Sequence, residues 1–457
     1  MTLTPDFPEL AAIRLGYGLS PLAPPPADAA EVLASCVRAA IPDDPWTAAL
    51  AGDAQISLSE ARKAREEMTI PDDEFRAVTQ KLNAERLAVL QRRVARAVAA
   101  PAGFGERLVQ FWADHFTTVA QNPPQHLMAA AFVNEAIRPN LAGRFADLLF
   151  AAETHPMMLV YLNQNASFGP NSLFVRRRPE RNLGLNENLA REIMELHTLG
   201  VGADYTQADV RELAELLTGL TWNPREGQHF RPQVAEPGAE TVLGRRYSGK
   251  GTSGLDEIRR AMVDLARHPA TAQHVARKLA VHFAADDPPP DLVRALAAVW
   301  QDTEGDLAQV YAVLATHPAL AATFRHKARQ PFDFLVASLR ALGLDRAQVM
   351  AFDGPRINQS LWIPLAQMGQ PFGRARGPDG WAEAADAWIT PQMLSARIAW
   401  ALQQPQRLTN DLPDPRAFLS EALGGTASER LIWAVPKAES AREGVAIVLA
   451  STDFNRR

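Results

Sequence analysis

The 457-residue sequence predicts a mainly α-helical fold, on three observations. Apolar residues recur three and four apart through most of the chain, the period of one helix face. Long stretches rich in Ala, Leu, Arg and Glu add intrinsic helix propensity to that period. Helix start signals are explicit: Ser57 with Glu60, and Thr206 with Asp209, stand where a capping hydroxyl and an N3 carboxylate satisfy orphan backbone amides. Thr390 precedes Pro391, which at the first helical position forfeits no hydrogen bond.

Taken in order, three joints share one form. Thr154-His155-Pro156, Arg267-His268-Pro269 and Thr316-His317-Pro318 each close an Ala-rich helix and open another, because proline disfavours helix in the residue before it and suits the first turn after it. Their histidines read as structural. After Thr206, the residues Val210, Leu213, Leu217 and Leu220 line one helix face, and Gly219 with Trp222-Asn223-Pro224 ends that helix. Three stretches read as non-helical: 18–28; 225–253, which can form a hairpin; and 353–380, the Gly/Pro-rich start of a lid-like loop 353–390 that carries Trp381 and Trp388. The expected organisation is one helical domain over 1–457, with a sub-boundary near 225–255.

A hydrophobic content of 47%, a charged content of 22% and a net charge of −5 exclude disordered, collagenous and disulfide-scaffold classes. Basic residues are scattered, so nucleic-acid binding is not expected. Arg176, Arg177 and Arg178 with Arg181, and Arg245 with Arg246, read as solvated loop charge. Cys36 alone allows no intrachain disulfide and no Cys-based zinc site. The first fifteen residues lack an export-signal pattern, and no segment approaches the ~18 apolar residues of a membrane span. A cytoplasmic location and no membrane span are the expectations.

The densest polar segment runs over 186–200 and reads as a helix of about four turns ending at Gly200. Asn188, Arg191, Glu192 and Glu195 share a face there, and Arg191 stands four residues from both Glu187 and Glu195. Two readings follow. In one, Glu192 and Glu195 are the acid/base candidates, His115 and His197 carry protons or bind a ligand, and Arg191 sets their ionisation. Asn186, Glu187, Asn188 and Trp222 then contact substrate. In the other, the same residues form a structural ion-pair network in a non-catalytic accessory or interaction protein. His115, between Trp112 and Phe116, reads equally as a core histidine, and Asp114 beside it as orienting nothing. No metal ligand and no cofactor is assigned: Glu195 and His197 are two apart, not the three of a helical Glu-x-x-His pair, and His-Glu-x-x-His, Gly-x-Ser-x-Gly and phosphate-loop motifs are absent.

The strings Phe111-Trp112-Ala113-Asp114-His115-Phe116-Thr117-Thr118, Asn186-Glu187-Asn188 through Glu195-Leu196-His197-Thr198-Leu199-Gly200-Val201, and Leu217-Thr218-Gly219-Leu220-Thr221-Trp222 resemble the bacterial domain-of-unknown-function family 1800. The resemblance covers nearly the whole chain. It implies a largely helical protein without an established activity, often exported and often encoded beside a sulfatase-like partner protein. Where such proteins commonly carry His-Asp-x-Gly-x-Lys-Thr, this chain reads Ala235-Glu236-Pro237-Gly238-Ala239-Glu240-Thr241.

Overall fold

Helices dominate because most segments bury one apolar stripe and carry a cap at the N-terminal end. The computed structural model describes residues 5–247 and 254–457. The parts of the expectations that fall on 1–4 and 248–253 lie outside the described residues. Thr206 and Asp209 form a complete capping box on the helix Gln207–Leu217, and Thr390 caps Pro391–Gln403. The Ser57 signal is overridden. One uninterrupted helix covers Ala48–Glu66, and Thr47 caps it by accepting from the Leu50 amide. Ser57 therefore lies mid-helix, where the hydrogen bonds of the turns on both sides leave no orphan amide to cap.

The three His-Pro joints are identical in chemistry. His155, His268 and His317 each turn Nδ1 onto the backbone amide two residues on, at 3.1, 3.2 and 3.2 Å, so the ring itself acts as a helix cap. Among the described residues, strands are confined to two antiparallel hairpins. Leu220, expected on the face of the helix after Thr206, opens the first instead: that helix ends at Leu217 and Gly219, at φ +93°, turns the chain. Leu220–Asn223 thus pairs with Gly227–Phe230, Leu220 opposite Phe230, and Glu240–Val242 pairs with Arg245–Tyr247. The second hairpin turns through Leu243 and Gly244, both at positive φ, the twist that a two-residue hairpin loop demands. Leu243 is strained there, and Asp209 Oδ1 accepts its amide at 2.7 Å. Arg245 pairs with Asp264. In the departed family motif, Glu236 is buried and holds the Asn171 amide and side chain at 2.8 and 2.6 Å, bracing the loop before Leu173. The stretch from 353 is helical over Gly354–Gln367: Pro355 occupies a first-turn position where no hydrogen bond is lost, and Pro364 follows the π turn Asn358–Trp362, where the Ser360 carbonyl accepts from the Trp400 indole instead.

The core has two parts. The larger is built from helices of the first 320 residues, and the smaller from 331–454. The helix Asp72–Ala99 is their shared wall: Leu82 and Val89 face the first part, Leu90, Val94 and Val98 the second. Between the two parts lies an unusual set of fully buried cations. Arg14, Arg107, Arg329 and Arg457 have at most 1% of their surface exposed. Most of their hydrogen bonds go to backbone carbonyls: Arg14 to those of Arg457 and Ala284, Arg107 to Arg14, Arg329 to Phe454. Each guanidinium thus satisfies carbonyls that the helix ends leave orphaned. No helix among the described residues is long and apolar enough to cross a membrane.

Thr206→Ala is expected to cost about 1 kcal/mol in denaturant unfolding, the usual loss of a cap. Asp209→Ala is expected to cost about 2–3 kcal/mol, since the same carboxylate also carries the strained Leu243 amide. Burial opposes ionisation of Asp209, but hydrogen bonds from Thr206 and Leu243 outweigh it and lower its pKa. Its share of stability is therefore present above the ordinary aspartate value and lost as pH falls through it.

Candidate active site

The helix carrying the polar segment is shorter and differently wound than its sequence suggests. It is α-helical over Asn188–Glu192 and π-helical over Ile193–His197, and the Gly200 amide reaches back to the Met194 carbonyl. A π turn stacks residues five apart. It places Glu192 within the field of His197, which an uninterrupted α-helix would send to another side.

The two faces of this helix have different fates. On one, Arg191 reaches Glu195 at 3.0 Å and Glu187 at 3.3 Å, with Gln207 at 3.1 Å, a closed ion-pair network at the surface. Asn186 belongs to a turn: its side chain donates to the Leu162 and Asn163 carbonyls and accepts the Asn188 amide. Trp222 is buried in the first hairpin, its amide on Asn165, and its ring contacts the position of Gly52. On the other face, Glu192 looks toward Asp379 and Tyr161, and its pKa is raised by burial and by the Glu195, Glu153 and Asp379 charges against His197. His197 is buried with Nδ1 2.7 Å from the buried Glu153, though out of line for a hydrogen bond.

The helix ends its ladder on two histidines from elsewhere. Its orphan carbonyls at Leu196 and His197 sit 3.1 Å from Nε2 of His274 and of His115. A carbonyl only accepts, so both rings carry the proton on Nε2 and present a bare Nδ1. Burial, then the Lys278 charge and the neighbouring rings, hold His115 well below its ordinary pKa; burial lowers His274 too. His115 Nδ1 is buried and meets no partner. Gly200, at φ +92°, leaves the room that His274 occupies: a Cβ there would stand 2.7 Å from its Nδ1.

These rings line a cavity of about 310 Å³. Its walls are the end of the helix Phe104–His115, the helix Pro269–Phe283 with His274 and Lys278, and the loop segment carrying Asp379, Trp381 and Glu383. Asp114 does have a partner, contrary to its reading from the sequence: both its oxygens accept the Trp381 amide, at 3.0 and 3.2 Å. Burial, followed by the Glu383 and Asp379 charges, pushes its pKa up to about 7 against the Trp381 amide and Lys278. Lys278 is lowered by the same burial, against the three carboxylates around it. Among the described residues, no three His, Cys, Asp or Glu side chains converge as a metal-ligating set.

Glu383 fastens the loop that closes this cavity. Its carboxylate takes a 2.6 Å hydrogen bond from His282 Nδ1 and lies 3.0 Å from Lys327 Nζ, which also donates to Asp286 and to the Glu383 carbonyl. Arg107 donates to His282 Nε2 at 2.8 Å, which leaves that ring neutral, at a pKa held down to about 4 chiefly by burial. Burial opposes the Glu383 charge, but His282, Lys327 and Arg457 outweigh it and keep the carboxyl well below the usual range.

Of the residues singled out from the sequence, His115 lines this cavity, and His197 and Glu192 lie outside its wall; Asp114, His274, Lys278, Asp379 and Glu383 line it without having been named as candidates. One signal was available: His274, Lys278 and His282 stand four apart, a stripe of titratable residues on one face of the helix Pro269–Phe283.

Glu383→Gln is expected to lose about 2–4 kcal/mol in denaturant unfolding, below the full cost of breaking a buried pair because the side chain is 25% exposed. Amide exchange should quicken over 379–388. The contribution of Glu383 is present above the ordinary glutamate pKa and is lost as pH falls from there to the much lower folded value, so the gap between wild type and variant should narrow steadily in acid.

No curated protein and no solved structure matches this chain. One family model does, over residues 11–456, under the description "Protein of unknown function (DUF1800)". With nearly its whole length matched, and with the Asp114-His115 and 186–200 segments both inside the match, the chain belongs to that family.

Proposed function

We propose that the chain is a hydrolase of the general acid–base type, working in the cavity between the Asp114-His115 helix end, the His274-Lys278 helix and the Trp381 loop. The observation that carries the reading is Asp114, a carboxyl whose ionisation is brought near neutrality, facing an ammonium and two neutral imidazoles across a cavity of substrate size. Protonated Asp114 donates to the leaving-group oxygen as its bond breaks. Neutral His274 takes a proton from the attacking water through its bare Nδ1, and solvent returns that proton to Asp114. Lys278 supports the negative charge that develops on the substrate. Glu192, within the field of Asp379, is the second carboxylate candidate. Glu187, Arg191 and Glu195 brace the helix that orients both histidines, His197 backs His115, and Asn186, Asn188 and Trp222 hold turns around it.

The rival reading is an accessory protein that docks a partner, the sulfatase-like protein of the family resemblance being the candidate. The closed Arg191 network favours it. Chromogenic nitrophenyl esters, glycosides, phosphates and sulfates separate the two. Turnover by wild type is expected to fall above about pH 7, as the acid form of Asp114 is lost, and Asp114→Asn is expected to reduce it by about 10²–10⁴. Turnover unaffected by Asp114→Asn would sink the assignment, and no turnover of any class would leave the accessory reading.

The stability arm needs no substrate. A raised carboxyl pKa contributes stability below the unfolded value, and this declines as pH rises to the folded one. Relative to Asp114→Asn, wild type should therefore lose stability between about pH 4 and about pH 7 and hold steady above, followed by thermal melts.

A further inference from the structure

Asp114 and Trp381 also line a second cavity, of about 110 Å³, walled by the helices Asp72–Ala99, Phe104–His115 and Pro123–Phe132 and roofed by the loop around Phe372. Its wall is rich in arginine, and most of those charges are closed. Arg92 pairs with Asp44 at 2.8 Å, Arg96 with Asp43 at 2.9 Å and Glu106 at 2.6 Å, and Arg138 with Glu106 at 2.9 Å. Arg93 is different. Half-buried in the middle of this set, it has no carboxylate or carbonyl partner among the described residues, and its contact is the Phe372 ring, 5.6 Å from the guanidinium carbon.

We propose that this cavity is a binding site for a tetrahedral oxyanion, a phosphate or sulfate group, with Arg93 as its central ligand. A guanidinium withdrawn from water without a hydrogen-bonded counter-ion is costly, and the Phe372 ring and the Glu106 and Asp44 charges, already held by other arginines, offset that cost only in part. Its planar fork of donors matches two oxygens of such a group. Gln110 and Thr118, on the same wall, carry side-chain donors engaged in no hydrogen bond among the described residues, where the buried His126 also has Nε2 unpartnered. Donors arriving from several helices suit a tetrahedral group better than a planar carboxylate. The acids on the wall do not oppose it: Asp43 and Asp44 are neutralised by their arginines, and Asp114 holds the Trp381 amide. The volume holds several waters, room enough for five heavy atoms. Binding here does not depend on catalysis next door.

Isothermal titration of the full chain with inorganic phosphate, sulfate and glycerol 2-phosphate, at ionic strength held constant with chloride, tests the site. One equivalent is expected to bind, and Arg93→Met, which keeps helix propensity, is expected to weaken it about tenfold or more. Arg245→Gln, on the surface, should change nothing. Should Arg93→Met fail to fold, Thr118→Val and Gln110→Leu carry the test, each lowering affinity severalfold. Tighter binding of the ester identifies the group as an arm of a larger molecule; equal or tighter binding of the inorganic ions identifies a free ion. No heat and no melting shift with any of the three up to tens of millimolar, or an affinity untouched by these variants, would overturn the proposal.

Discussion

The contact between Glu383 and the buried cations is the constraint on which the candidate site depends. The seam between the two halves of the core holds Arg14, Arg107, Arg329, Arg457 and Lys327, all essentially inaccessible, against the buried acid Asp333. Backbone carbonyls take most of the hydrogen bonds of the arginines, Asp333 and Asp286 balance part of the charge, and positive charge remains in excess. Glu383 arrives from a long loop and adds a further negative charge, so electrostatics and the burial of Trp388 together dock the loop. Everything the loop brings with it, the Trp381 amide on Asp114 and the Asp379 carboxylate near Glu192, follows from that anchor.

The anchor also explains why Asp114 behaves as it does. Glu383 is held ionised by its cations, and its charge then acts on Asp114 across the cavity. Two carboxyls with opposite shifts arise from one arrangement: the acid closest to the cations keeps its charge, and the acid farther from them is discouraged from ionising. Such a split between neighbouring acids is a common physical basis for dividing acid and base roles.

Much of the helical scaffold was legible because it is local. Capping at Thr206 and Thr390 and the His-Pro joints depend on residues within a few positions of one another, whereas the first hairpin, placed by the sequence only within 225–253, begins at Leu220, which the apolar spacing assigned to the helix. Ser57 misled because a cap signal carries no information about whether the preceding residues are already helical, and Pro355 misled because proline opens helices as readily as it ends them. The candidate site was legible only in part for the opposite reason. Asp114 and Trp381 are 267 positions apart, and His282 and Glu383 are 101 apart. No spacing rule reaches that far. A lysine at Lys278 also looks the same in sequence whether it faces solvent or a cavity.

The segment 186–200 held two readings in its sequence, a site and a scaffold, and the π turn separates them by face. Arg191, Glu187 and Glu195 close on one another at the surface, every charge met at hydrogen-bond distance. Beyond the π turn, the carbonyls of Leu196 and His197 fix the tautomers of His274 and His115, leaving Nδ1 of each ring unprotonated. The buried Nδ1 of His115, like both ring nitrogens of His197 beside it, meets no partner among the described residues, and an unmet buried acceptor costs about 1–3 kcal/mol. On the surface face, by contrast, the side chains that brace the helix are paired. The scaffold is therefore what holds the site in register, and both readings of the sequence describe the same helix from opposite sides.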